Sequence, residues 1–451
     1  MNINIQAAVR NTISSLEEKN LGVHSFILRK DNKEIARYFR PPYKAEYTHM
    51  LNSLSKSFTS VGALFAMQEG LLSPDDLVLS FFDRDPMECC ENMRKLKVRH
   101  LLTMSAGHAP NADFIFSTYD CVNAFLSSDI PNEPGSRFSY NTGATYMISA
   151  IVYKVTGLPV YEYLKPRLFD PLGITDIRWE SCPKGIPYGG FGLHVHTEDI
   201  AKFGQFLLDK GTWNGVRLLD EKLIAEATSY QIANYGAKDW SMGYGWQFWR
   251  CMPDGVYRGD GAYGQYVVVM PKQNAVLAVT SGSNNMQGIL DVIWEELLPS
   301  LEQPYDGEPM NIESELPSLS GDSECGHVGV RYSCVENQFG ITEFEFTASD
   351  KLCMYTGAEK KPYTVSLGNG CHVFNDHMFT EGKAFPFNAH LLSTTAASHS
   401  WTSPDSCTVR IIGTHSAYTQ HWKFTFDGDD AVIDFTQNLS SKPIKITAKR
   451  I

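Results

Sequence analysis

The sequence predicts an α+β domain, an antiparallel sheet built from both ends of the domain around an inserted helical block, with an all-β domain after it. Three observations lead there. A helical run and two strand-like runs open the chain, while two strong strand runs and a helix close the block before residue 300, so the two ends share one sheet. Between about 95 and 230 the pattern is mainly helical. Beyond 322, runs such as ITEFEFTA, CTVRIIG, HWKFTFD and AVIDFTQ alternate with turn residues, as short strands do.

The elements follow in order. Ile5, Val9, Ile13 and Leu16 fall at helical spacing and predict an amphipathic surface helix. GVHSFILRK and EIARYFR flank Asp31-Asn32-Lys33 and read as a β-hairpin. A helix is expected from Ser53 to Gly70, closed by the glycine. After it, Ser73 stands as an N-cap with Pro74 at the first position of another helix. VRHLLTMS, ATYMISAIVYKVTG and TEDIAKFGQFLLDKG are the helical stretches of the inserted block. GQYVVVMP and AVLAVTSG, joined across Lys272-Gln273-Asn274, return to the sheet, and GILDVIWEELL is the closing helix. Pro299, Pro304, Pro309 and Pro317 lie among acidic, Ser and Gly residues, the composition of a linker, in which Glu308, Glu313 and Glu315 read as solvated charge. The expected division is 1–300 for the first domain, 301–322 for the linker and 323–451 for the all-β domain, a lipocalin-like barrel or a sandwich. A chain of 451 residues exceeds what one hydrophobic core usually organises, which agrees.

Composition removes several classes of function. The 43% hydrophobic and 20% charged content is that of a water-soluble globular protein. A net charge of -12, with no basic block, argues against a nucleic-acid or anionic-membrane partner, because nothing offsets phosphate repulsion. MNINIQAAVRNTISSLEEKN lacks the features of a signal peptide, and no run of eighteen apolar residues predicts a membrane span. The ten cysteines are scattered without a C-x-x-C and read as reduced thiols, which points to the cytoplasm.

Three segments carry chemistry. Ser53-Leu54-Ser55-Lys56 is an S-x-x-K pattern at a helix start, and at i and i+3 both side chains share one helix face. A serine hydroxyl is a poor nucleophile until a base takes its proton, and a desolvated lysine has a lowered pKa that suits it for this. The bare pattern is common and usually means a capping serine and a solvated lysine. Here SKSFTSVGALFAMQEGLL is apolar on most faces, which buries the lysine. In PGSRFSYNTGATYMISAIV, Tyr140 follows a Pro-Gly turn and precedes an apolar helix. Near a cationic lysine a tyrosine ionises more easily and can shuttle protons between nucleophile and leaving group. Alone, Tyr140 reads equally well as a packing residue. In Tyr257–Tyr266, glycines at a strand edge permit close approach, and a backbone N–H there can form half an oxyanion hole with the Ser53 N–H as the other half. Taken alone, that is an ordinary Gly-rich turn.

In this order the segments resemble the class C β-lactamase superfamily of serine hydrolases, with its D-stereospecific peptidases, family VIII esterases and 6-aminohexanoate-dimer hydrolases. QEGLLSPDDLV, VRHLLTMSAGH, FSYNTGATYMISAIVYKVTG, YLKPRLFDPLGI and GYGWQFW share its texture, and the likeness covers roughly residues 20 to 300. The resemblance implies a β-lactamase/transpeptidase-like sheet flanked by helices, with a helical subdomain. It implies Ser53 as nucleophile, Lys56 as general base and Tyr140 as partner in proton transfer. Thr142 falls on the Tyr-x-Asn asparagine, where it can hydrogen-bond a substrate amide less completely. Gly259-Asp260-Gly261 replaces Lys-Thr-Gly or His-x-Gly, which makes the Ala262 N–H the second oxyanion donor, beside Gly261 and Asp260. The Lys and Thr that bind a β-lactam carboxylate are absent, and an aspartate there would repel an anion. The expectation is a serine hydrolase acting through an acyl-serine intermediate on small-molecule or short-peptide esters or amides, without metal or organic cofactor, and not an efficient β-lactamase. Two alternatives stand beside it, a catalytically weak binding or scaffold protein and a penicillin-binding-protein-like D-peptidase. Retention of Ser53, Lys56 and Tyr140 together favours catalysis. The all-β domain has two open roles, covering the active-site mouth or mediating a homodimer.

Other signals are weaker. His194-Val195-His196, without Cys or an acidic triad nearby, reads as surface or loop histidines rather than a metal site. His108, Trp240, Trp246 and Trp249 fit a pocket wall or a core equally well.

Overall fold

The computed structural model describes residues 4–109, 111–314, 316–376 and 394–451, so Glu315 lies outside the described residues, as does 377–393 of the all-β segment. The chain divides into two compact units, one of residues 1–38, 48–281 and 285–312, the other of 39–47, 282–284 and 313–451.

The first unit is built on a seven-stranded sheet in the order Met310–Ile312, Lys33–Phe39, Val23–Lys30, Ala275–Ser281, Gln265–Met270, Tyr257–Gly261, Trp249–Arg250. Both ends of the unit meet at its centre, where Val23–Lys30 pairs antiparallel with Ala275–Ser281 from Ser25↔Thr280 to Lys30↔Ala275. The hairpin before it turns on Asp31 and Asn32, at φ 50° and 63°, the left-handed region that Asp and Asn tolerate and two-residue hairpin turns require. One strand departs from the expected antiparallel pattern. Met310–Ile312 runs parallel to Lys33–Phe39, so the sheet is mixed and part of 301–322 belongs to it. Met310 is buried in the sheet's core, whereas Glu308 and Glu313 are exposed.

Helices cover both faces. The helix Ile5–Glu18, capped by the Asn4 side chain, lays Ile5, Val9, Ile13 and Leu16 into one core with Phe26, Val268 and Leu277. On the other face Gly204, in the helix Thr197–Leu208, lies against Val267 and Val276. In the inserted block the helix Ser55–Gln68 is buried from Ser55 to Ala66 and packs on Thr142–Thr156, which Gly157 closes at φ 74°. The helix expected after Ser73 does not form. Asp76 Oδ2 accepts from Ser73 N at 2.7 Å and Asp76 N donates to Ser73 O, so local side-chain bonds hold a turn there instead.

In the second unit ten strands among the described residues run in a meander whose consecutive strands pair, Lys361–Ser366 and Val373–Asn375 excepted, and the first, Arg331–Cys334, pairs with the last, Ser440–Arg450. At the seam between Lys361–Ser366 and Val373–Asn375, a side-chain amide stands in for a ladder. Asn375 Oδ1 accepts from Ser366 N at 2.8 Å and Asn375 Nδ2 donates to Ser366 O at 3.1 Å. Of barrel and sandwich, this is a near-barrel, filled by Trp401, Trp422, Phe344, Phe424 and Phe426. All ten cysteines are free thiols. No helix among the described residues is long and apolar enough to cross a membrane.

Candidate active site

The strand His49–Leu51 runs into a tight turn that delivers Ser53 to the start of the Ser55–Gln68 helix. Lys56 N donates to Ser53 O at 2.9 Å and Ser57 N to Leu54 O at 3.2 Å. The helix therefore starts two residues later than expected, and Ser53 stands half-buried before its first turn. Lys56 points inward at 1% exposure. Its Nζ lies 3.2 Å from Ser53 Oγ, 3.3 Å from Thr142 Oγ1 and 2.8 Å from Gly190 O. No carboxylate among the described residues comes within ion-pair distance of it. Burial therefore dominates and holds its pKa down to about 7, with the more distant charge of Asp113 opposing. A lysine in that state carries a free lone pair at neutral pH.

Tyr140 lies at the mouth of the Thr142–Thr156 helix, which Asn141 caps by accepting from Ala144 N at 3.2 Å. Its ring centre is 5.1 Å from Lys56 Nζ, it stacks on Trp249 at 5.6 Å, and Ser53 is a polar neighbour of its hydroxyl. The expected easing of its ionisation does not occur. Desolvation pushes the phenol well above its usual range, nearby Ser53 only partly opposes this, and Asp260 and Asp113 add to the rise. Burial outweighs any help from Lys56, so Tyr140 is a neutral donor rather than a phenolate. Thr142 engages Lys56 through its hydroxyl.

The Gly-rich strand Tyr257–Gly261 lies directly against the Ser53 turn. A Cβ at Gly259 would sit 2.5 Å from Leu54 Cδ1 and 2.7 Å from Ser57 Oγ, and one at Gly261 would sit 3.1 Å from Leu54 N. A side chain at 259 would force Leu54, Ser57 and Val267 to shift, and the glycine itself brings no cation. Tyr263 and Gly264, at φ 73° and 84°, turn the chain back into Gln265–Met270. The Ser53 and Ala262 amides donate to no acceptor among the described residues, which leaves both for an oxyanion. Asp260 does not act as a lone negative charge. It is buried with Oδ2 accepting from Arg258 Nε at 2.8 Å, and the Arg258 guanidinium packs over Trp240 at 4.7 Å. Burial nevertheless raises Asp260 to about 6. Repulsion by Asp260 is thus a weaker barrier to an anionic substrate than the lack of any cation at 259.

The structure adds residues the sequence reading did not single out. Gly190 O anchors Lys56, and a Cβ at Gly190 would meet Thr142 Cγ2 at 2.5 Å and Lys56 Nζ at 3.2 Å. The Gly189-Gly190 doublet was the visible signal. In a Gly190→Ala variant an esterase assay is expected to show kcat lower by on the order of 100-fold, since a shift of about 1 Å at a reacting group costs that much. Gln265 and Asn52 also enter the site, with Gln265 Oε1 accepting from Asn52 N at 2.6 Å. Of the histidines set aside above, His194 is not at the surface, whereas His196 is a partly buried loop residue. His194 is buried on a strand with Nε2 3.3 Å from Glu180 Oε1, and His196 caps the Thr197–Leu208 helix with Asp199. Trp249 forms part of the Tyr140 wall, while Trp246 is core, its carbonyl accepting from Ser60 Oγ at 2.7 Å. His108 is buried, its Nε2 2.9 Å from Ser128 Oγ.

A family model described as Beta-lactamase matches residues 9–294. Penicillin-binding protein 4* of Bacillus subtilis is 24% identical over 173 residues, 35% of this chain and 37% of that protein, so this chain spans little more than a third of that relative's length. The 6-aminohexanoate-dimer hydrolase of Paenarthrobacter ureafaciens is 23% identical over 286 residues, 57% of this chain and 72% of that protein. The octameric penicillin-binding protein homologue from Pyrococcus abyssi superposes with a TM-score of 0.55 at 17% identity, covering 99% of this chain and 100% of that one, a likeness of fold.

Proposed function

The chain belongs to the beta-lactamase family, a family of hydrolases, and on that premise we propose that it is a serine hydrolase whose Ser53 is acylated by esters or amides. One observation carries the reading. Lys56 is buried without a carboxylate partner, its Nζ 3.2 Å from Ser53 Oγ, and burying an unpaired amine is a cost that a scaffold has no reason to bear.

Ser53 Oγ attacks the carbonyl carbon while neutral Lys56 takes its proton. The C=O π pair moves to oxygen, and the oxyanion receives the Ser53 and Ala262 N–H groups. Tyr140 relays the proton to the leaving oxygen or nitrogen as the tetrahedral carbon collapses to the acyl-serine. Water then attacks the ester carbonyl, gives its proton back through the same pair, and frees the acid and Ser53. Asp260, Gly261 and Thr142 line this path. Without a cation at 259, substrates with a neutral or cationic group near the scissile bond fit better than a β-lactam carboxylate or a D-Ala-D-Ala terminus. The free thiols support a reducing compartment such as the cytoplasm.

Incubation with a fluorophosphonate probe and with p-nitrophenyl acetate tests the proposal. Wild type is expected to label and turn over, and Ser53→Ala to do neither. The kcat/KM profile is expected to rise with pH through a midpoint near the Lys56 value of about 7, because the base must be deprotonated. A folded wild type that neither labels nor hydrolyses an ester and amide panel would sink the reading in favour of a binding protein.

A further inference from the structure

We infer that Gln265 and Asn52 are positioning residues, a two-way brace that sets Ser53 against the Ala262 amide; the inference rests on the Ser53 acylation proposed above. Gln265 is the first residue of the strand that follows the Gly-rich turn, directly opposite Gly261 in the ladder. Its side chain is fully buried. Gln265 Oε1 accepts from Asn52 N at 2.6 Å and Gln265 Nε2 donates to Met50 O at 3.0 Å. A backbone carbonyl and the amide two residues on are the pair that a neighbouring strand satisfies in a β-ladder. The glutamine amide supplies that pair from a side chain, so the segment ending one residue before Ser53 is held as if it were a further strand.

Asn52 grips in the other direction, Nδ2 donating to Ala262 O at 3.1 Å. The two residues thus tie each oxyanion donor's flank to the other's segment. Gln265 holds the residue before Ser53, and Asn52 holds the carbonyl of Ala262 itself. Gly261 is part of the device, since a Cβ there would lie 2.7 Å from Gln265 Oε1 and 3.0 Å from Gln265 Cβ. The glycine leaves the space through which the brace passes. Two amides that must meet one oxygen need a fixed separation, and donors aimed at the transition state lose their value when they drift.

The test compares wild type, Gln265→Met, Asn52→Ala and the double variant. It reads kcat and KM on p-nitrophenyl acetate, the rate of fluorophosphonate labelling and the thermal midpoint. Each single variant is expected to lose roughly 10- to 100-fold in kcat and in labelling rate, with KM within about threefold, because the oxyanion rather than the ground state loses its fit. The acid limb of the pH profile is expected to stay in place, since neither residue touches Lys56. The double variant is expected to fall no further than the worse single one, because both hold one register. Folded variants with kcat within about twofold of wild type, or with KM alone changed, would overturn the brace while leaving acylation standing. An inert wild type would overturn both. If Gln265→Met does not fold, Asn52→Ala decides alone, since it removes one bond and leaves the buried glutamine in place.

Discussion

Replacing Lys56 with methionine is expected to abolish turnover and stabilise the fold at the same time. The amine is buried with only neutral oxygens around it, and its pKa falls from 10.5 to about 7. At about 1.4 kcal/mol per unit, the folded state disfavours the ammonium by on the order of 5 kcal/mol. Methionine fills a similar volume without charge. The sign of the pH dependence follows from proton counts. Between about 7 and 10.5 the unfolded chain holds the Lys56 proton and the folded chain does not, so wild-type stability gains with rising pH across that window and the Lys56 contribution is flat below it. The difference in thermal midpoint between variant and wild type should therefore be largest at pH 7 and below and shrink towards pH 10. Catalysis should fall by roughly 100- to 10,000-fold, the general-base contribution. Unchanged kcat in Lys56→Met would remove the proposed mechanism.

Tyr140→Phe is expected to lower kcat by roughly 100-fold through loss of the proton relay, while KM and stability hardly move. The ring keeps its packing on Trp249, Tyr244 and Phe138, and only the hydroxyl beside Ser53 is lost. Because Tyr140 remains a phenol across the working range, the acid limb near pH 7 belongs to Lys56 and should stay where it is in the variant. A midpoint that moved by a full unit would mean that tyrosine and lysine exchange roles.

The sequence made the two ends of the mechanism visible and left its middle dark. Ser53 and Lys56 were legible because i, i+3 spacing on an apolar helix has a direct geometric meaning, and the hairpin at Asp31-Asn32 because its turn chemistry is local. Gly190, Gln265 and Asn52 act through hydrogen bonds between a side chain and a distant backbone, which leave no periodicity to read. The pairing of Asp260 with Arg258 could have been read, since residues two apart on a strand share a face. Ser73 reads as a helix cap, yet a serine followed by proline also opens a turn when a carboxylate such as Asp76 competes for the backbone. His194 reads from sequence as a surface or loop residue because a three-strand ribbon of short segments, His49–Leu51 among them, has too few residues to show alternation.

The three-residue strand Met310–Ile312 bears on how the first unit could be cut free. Ending the chain at residue 300 would leave one side of Lys33–Phe39 with unpaired backbone groups, a surface on which a second molecule can add a strand and begin to aggregate. It would also strip Met310 from the core. The proline-bearing stretch after the last helix is therefore less a spacer than a strap, which returns the chain to seal the sheet edge before it moves on.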